Sequence, residues 1–238
     1  MATFTLQPPE SPAPDPAQVE RVIAALEPLL LPRRVERMKA VLATRSDHAT
    51  FVFERMTNPH NLSAALRSLD AFSFQEAWWI APGEKLDLSH LISRGTHRWL
   101  TLRGAESPEE CLLALRRRGY RVYASHLGGE GCVPLGEIDF SRRTALVFGN
   151  EHAGVGGELL ELADARFRID MLGFAESLNL SVAVALSAWH ARREIERLGA
   201  AGGDPASYRL TPGQARALYA QWLQESVRRA DAVLERGE

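Results

Sequence analysis

Two cysteines, no apolar run of bilayer-spanning length and almost no surplus charge of either sign set the first limits on this 238-residue chain. Cys111 and Cys132 are too few and too isolated for a disulfide framework or a CxxC metal knuckle, which fits a reducing compartment. The seven histidines never recur at the three- or four-residue spacing that brings two imidazoles to one ion, so no metal is expected. The start of the chain lacks a basic stretch followed by an apolar one, and a soluble, cytoplasmic protein with no membrane contact is expected. A formal net charge of −2 means that any attraction to nucleic acid must come from local patches. Glycines at 149, 154, 156 and 157 miss the GxGxxG spacing and no GKS or GKT occurs, which argues against dinucleotide and P-loop sites. No serine sits in a GxSxG elbow, so a hydrolase triad has no support.

What is present is a 45% hydrophobic chain, enough for one main domain with helical additions. Residues 1–16 carry Pro8, Pro9, Pro12, Pro14 and Pro16 with few large apolar residues, and are expected to be disordered or extended and to contribute little. Residues 17–46 read as a helical arm of two short helices broken near Pro28 and Pro32. The second bears Arg33, Arg34, Arg37 and Lys39, with Arg45 beyond it. Residues 47–199 alternate: strands at 49–54, 77–81, 98–102, 120–125, 144–149 and 165–169, and helices at 62–71 and 108–118. Such alternation predicts an α/β fold with a mostly parallel open sheet covered by helices, and ligands beyond the carboxyl ends of its strands. Residues 200–238 form a helical extension, glycine-rich at first and then amphipathic from Thr211 to Arg236. Its apolar face of Leu218, Trp222 and Leu223 could pack on its own domain or on a partner subunit.

Two segments place small polar residues at the start of apolar helical patterns. From Ser177 to Trp189 there is no formal charge, and a helix apolar on nearly every side belongs in a protein interior, where Ser177, Asn179 and Ser181 must find partners or hold a ligand. Ser177 is a candidate N-cap, and satisfied core residues are the plainer reading. Far away, residues 58–67 repeat the theme as Asn-Pro-His-Asn-Leu-Ser-Ala-Ala-Leu-Arg. Arg67 there stands beside apolar neighbours and needs an anion, either Glu151 in an ion pair or a substrate phosphate held bidentately.

These residues resemble a known family. NPHNLSAALR (58–67), LVFGNEHAGV (146–155) and MLGFAESLNLSVA (171–183) are similar to the three motifs of the SpoU-type 2'-O-ribose methyltransferases of the SPOUT superfamily. The basic N-terminal helix, SRGTHRW at 93–99 and the helix containing Trp222 resemble the tRNA guanosine-18 branch. The resemblance implies a C-terminal part threaded into a deep trefoil knot, which sequence physics alone would not propose. It implies a homodimer whose site forms where two protomers meet, and S-adenosylmethionine cradled by Gly149, Ile169, Met171, Leu172 and Leu178, with Ser125 and His126 beside it. It assigns Arg67, Asn61, Glu151, Ser177 and Asn179 to catalysis, and Arg33, Arg34, Arg37, Arg192 and Arg193 to phosphates of a tRNA, with no DNA partner. Arg67 would act as a base assisted by an RNA phosphate or, since a guanidinium stays protonated, as a clamp on that phosphate. Asp170 departs from the family pattern, where proline is common. Two competing readings are a 23S ribosomal RNA 2'-O-methyltransferase and a non-catalytic RNA-binding protein on the same scaffold.

Overall fold

A computed structural model describes residues 6–80, 96–129 and 131–235. Among these residues seven strands form one sheet: β1 (Ala49–Glu54), β2 (Glu76–Ile80), β3 (Thr101–Ala105), β4 (Arg121–Ser125), β5 (Cys132–Pro134), β6 (Thr144–Phe148) and β7 (Ala165–Arg168). Eight α-helices accompany it among the described residues: α1 (Pro16–Leu26), α2 (Pro32–Leu42), α3 (Pro59–Ala71), α4 (Pro108–Arg117), α5 (Gly157–Leu162), α6 (Leu180–Ala200), α7 (Pro212–Ser226) and α8 (Ala230–Glu235).

The sheet order is β3-β2-β1-β6-β4-β7-β5 and every pairing is parallel. Parallel strands must be covered on both faces, and β1, β2 and β6 are buried at every position. Alternate residues serve opposite layers: Phe51 and Phe53 face α3 and α6 with Leu62, Leu66, Val184 and Ala188, while Val52 joins Leu112, Leu115 and Leu159 of α4 and α5. A third cluster joins the two ends of the chain, with Val22, Ile23 and Leu26 of α1 and Met38 of α2 against Leu218, Trp222 and Leu223 of α7. The apolar face of α7 therefore packs within its own chain.

Several expectations need correction. The strand expected at 98–102 lies at 101–105, preceded by a 3-10 turn at Thr96–Trp99; residues 93–95 of the SRGTHRW match lie outside the described residues. The single helix expected to Arg236 is two, interrupted where Arg229 takes φ 57°. The proline-rich start is docked over the part that is described: Gln7 forms a parallel bridge to Arg103, its N–H donating to the Leu102 carbonyl at 2.9 Å. Arg45 is fully buried, bonded to Asp70 and to the Phe74 carbonyl at 3.0 Å. It belongs to the core and not to a basic surface.

Candidate active site

The two polar helix starts meet. Each is capped by an asparagine: Asn58 Oδ1 accepts from the N–H groups of His60 (2.9 Å) and Asn61 (3.4 Å) at α3, and Asn179 Oδ1 accepts from Ser181 N–H (2.9 Å) at α6. The cap of α6 is thus Asn179 and not Ser177, which lies in the loop before it. An asparagine that caps through its oxygen keeps its amide donors. Asn179 Nδ2 donates to Asn61 Oδ1 at 3.1 Å, and Asn61 Nδ2 donates in turn to Glu151 Oε1 at 3.1 Å. The Thr57 hydroxyl lies 3.5 Å from Glu151 Oε2. The relay runs one way because a carboxylate only accepts, which fixes both amide orientations.

Burial pushes the Glu151 carboxyl upward. Hydrogen bonds from its own N–H, the Asn61 amide and the Thr57 and Asn58 N–H groups outweigh it, so the group sits below the ordinary carboxylate range and stays ionised at neutral pH.

This relay borders a cavity of about 780 Å³ at the carboxyl ends of β1, β4, β6 and β7. Thr57, Asn58 and Asn61 line it after β1, Ser125 and His126 after β4, Gly149 and Glu151 after β6, and Ile169, Met171, Ser177, Leu178 and Asn179 after β7. The location is the one that parallel sheets use for ligands, where connections leave in opposite directions from β1 and β6. Gly149 is required by sterics, because a Cβ there would stand 2.0 Å from the Gly154 carbonyl oxygen.

Some expected residues stay apart from it. Arg67 is exposed on α3, does not line the cavity and has no partner among the described residues, so neither the burial nor the Glu151 ion pair is found. Leu172 is fully exposed and does not line the cavity. Arg192 is mostly buried, donating to Glu196 Oε1 (2.9 Å) and to the Thr44 carbonyl (3.3 Å), so its guanidinium is engaged within the chain. Arg33, Arg37 and Arg193 are exposed; Arg34 reaches Ser226 Oγ at 3.2 Å and stacks over Trp99. The start of α6 is not interior either: Val182, Leu186 and Trp189 are exposed, as are Leu172 and Phe174 before it. Among cavity residues that sequence reasoning passed over are Thr57, Asn150, Arg168 and Glu176. Asn150 and Glu176 lay inside the quoted motifs, which was the available signal.

The donor set suits a cationic, amphiphilic ligand. Apolar Phe148, Val155, Leu160 and Phe167 are among its lining; Glu151 and Glu176 supply negative charge, and the Arg168 guanidinium is paired with Asp170 at 2.7 Å.

Comparison with known proteins agrees with this chemistry. The profile of the SpoU rRNA methylase family matches residues 48–189. A tRNA (guanosine(18)-2'-O)-methyltransferase of Thermus thermophilus is 38% identical over 192 residues, which are 81% of this chain and 96% of that protein. Among solved structures, the TrmH/SpoU tRNA modifying enzyme of Aquifex aeolicus superposes with a TM-score of 0.72 at 31% identity, covering 83% of this chain and 98% of the other. The SpoU methyltransferase AviRb of Streptomyces viridochromogenes, solved with AdoMet, gives a TM-score of 0.55 at 27% identity over 63% of this chain and 58% of its own.

Proposed function

From the premise that this chain belongs to the SpoU methylase family, matched over more than half its length, we propose that its RNA substrate is tRNA and its target the 2'-hydroxyl of guanosine 18. It is an S-adenosylmethionine-dependent RNA 2'-O-methyltransferase. The observation that carries the reading is the Asn179–Asn61–Glu151 relay opening onto the cavity. The tRNA substrate is favoured over ribosomal RNA because the likeness to the Thermus tRNA enzyme extends through 96% of that protein, beyond the shared core motifs.

S-adenosylmethionine, when bound, supplies the methyl group from its sulfonium. Gly149, Ile169, Met171 and Leu178, with Ser125 and His126, line the cavity and would hold it by backbone and apolar contact. Methyl transfer needs an in-line approach of the ribose oxygen, so positioning supplies much of the rate. Asn61 and Asn179 orient the ribose; the Glu151 carboxylate anchors the Asn61 amide, which in turn receives that of Asn179. Ser177 on the lining offers a hydroxyl to the same end. Arg67 takes an RNA phosphate: an exposed guanidinium with no partner among the described residues is free to clamp one. Arg33, Arg34, Arg37 and Arg193 extend the phosphate contacts, and a folded tRNA is read chiefly by shape. A second copy covers Leu172, Phe174, Val182, Leu186 and Trp189, an apolar surface that a lone subunit leaves in water. The knotted threading belongs to the same proposal, supported by the sheet order in which β6 enters between β1 and β4 and β7 between β4 and β5.

The test is to incubate the protein with labelled S-adenosylmethionine and either an unmodified tRNA transcript or ribosomal RNA, and to map the methylated nucleotide. Label at the 2'-oxygen of guanosine 18 is expected. Label in ribosomal RNA alone, or in neither, overturns the reading. Arg67→Ala should lose transfer and keep cofactor binding; near-normal turnover would take Arg67 out of the reaction.

A further inference from the structure

Between Gly149, on the cofactor end of the cavity, and Glu151, on the relay, stands a side chain with no role so far. Asn150 Oδ1 accepts from the N–H groups of His152 (2.9 Å) and Ala153 (3.1 Å), closing its own turn. Its backbone is bridged twice to Gly154, at 3.0 and 2.9 Å. Its Nδ2 leaves the turn and donates to the Arg55 carbonyl, 3.0 Å away at the end of β1. Arg55 is held at φ 49°, a left-handed conformation that arginine rarely adopts, with its N–H donating to the Ile80 carbonyl at 3.0 Å. Two residues further lies Thr57, and then Asn58, which caps the helix carrying Asn61.

We propose that Asn150 is a positioning residue for methyl transfer: its amide joins the loop bearing Glu151 to the segment leading into Asn61, and so sets the carboxylate against the amide it must receive. A closed turn alone requires only Oδ1; the bond to Arg55 adds a tie between the two segments that does not pass through the Glu151 carboxylate, beside those the carboxylate itself makes to Thr57, Asn58 and Asn61. The inference rests on the methyltransferase reading above.

Asn150→Asp separates the two tasks. It keeps the oxygen that accepts from His152 and Ala153, and it replaces the donor by an oxygen facing the Arg55 carbonyl. The charged and titratable groups on the segments gathered here are Glu54 at the end of β1 and Arg55 just after it, Glu151 and His152 from the loop, and Glu158 at the start of α5. The variant's kcat is expected to fall about 100-fold, with KM for S-adenosylmethionine changed by less than about threefold, because the misplacement lies on the acceptor side. A protonated aspartic acid can donate where the carboxylate cannot. The ratio of variant to parent kcat should therefore rise as pH is lowered from about 8 to about 5.5, a rescue that a merely structural role would not produce. If the variant does not fold, Asn150→Ser carries the same test of kcat, since its hydroxyl reaches the loop amides but not the Arg55 carbonyl. Turnover within about threefold of the parent, or a loss confined to KM, overturns the proposal. An active parent with an unimpaired variant overturns this inference alone; a parent that methylates no RNA overturns the functional reading and this inference with it.

Discussion

Because the seven described strands run in one direction, the amino ends gather at one edge of the sheet and the carboxyl ends at the other, and polar residues are handled differently at each. At the amino edge Glu76, 5% exposed, accepts from Trp78 Nε1 (2.7 Å), Arg103 Nε (2.7 Å) and Arg118 (2.6 and 3.1 Å). Close by, Asp47 accepts from Arg143 (2.9 Å) and from Gln214 of α7 (3.0 Å), while the Tyr120 hydroxyl, pushed far up by burial, donates to the Asp47 carbonyl. Charges there answer one another and leave little for a ligand. At the carboxyl edge Glu151, only partly buried, accepts from the Asn61 amide and from the Thr57 and Asn58 N–H groups, and exposed Asn179 hands its amide to Asn61 beside an open cavity. Similar chemistry serves cohesion where it is buried, and is available for reaction where it is partly exposed and borders a cavity.

The largest effects should separate the two edges cleanly. Glu76→Ala strands two guanidinium groups and an indole N–H in a buried setting, and should cost about 3–5 kcal/mol in urea unfolding. Glu151→Gln preserves shape at a partly exposed position and should cost less than about 1 kcal/mol. Its turnover should nevertheless drop about 100-fold, since the anchor of the relay is no longer an acceptor on both oxygens. A Glu151 variant less stable than the Glu76 variant would break the comparison.

The carboxyl edge was the more legible of the two from sequence, for a local reason. Small polar residues just before an apolar helical pattern signal a helix start, so both starts were visible, although the cap of α6 was expected at Ser177 and lies at Asn179. Continuous apolar runs also gave β1 and β6 nearly to the residue. The amino edge depends on partners far apart in the chain, so nothing near Arg45 announces Asp70, and nothing near Asp47 announces Gln214. The strand β5 is three residues long and α5 six, too short to show a period. Arg192 and Arg193 are indistinguishable by charge. Only the turn of α6 directs one toward Thr44 and Glu196 and the other to solvent. The strand β3 was placed too early because the apolar pair Trp99-Leu100 outweighs Gly104 in a local reading. Gly104 makes sense only against Leu6, whose Cδ1 would lie 2.9 Å from a Cβ at that position.

That contact yields a smaller prediction. Gln7 donates to Leu102 and accepts from Gly104 N–H at 2.8 Å, so the N-terminal segment closes the free edge of β3 while Leu6 packs on the core beside α3. Gln7→Pro removes the donor and should cost about 1 kcal/mol in thermal or urea unfolding, with turnover unchanged. Unaltered stability would mean that the strap is an ornament of the edge; a large loss of turnover would mean that it governs α3 and the relay as well, blurring the division between cohesion and reaction.

The smallest expected effect concerns pH and divides the edges once more. Burial lowers the His48 imidazole below its ordinary 6.5, outweighing the bond between its Nε2 and the Phe140 carbonyl at 2.9 Å. The unfolded chain therefore takes up a proton near that pH while the folded one still refuses it, so folding stability from this group is complete above 6.5 and is lost as pH falls below it. Glu151 acts in a lower window: its carboxyl is held below the ordinary 4.5, and its contribution is lost only as pH falls from there. His48→Gln keeps a neutral donor toward Phe140 without a titration. Its stability should change less than the parent's between about pH 7.5 and about pH 5.5, where Glu151 remains ionised in both. Parallel changes in parent and variant would show that mild acid does not act through His48. Acid sensitivity of folding would then have to be sought away from the amino edge, and that edge would lose its claim to be where cohesion is concentrated.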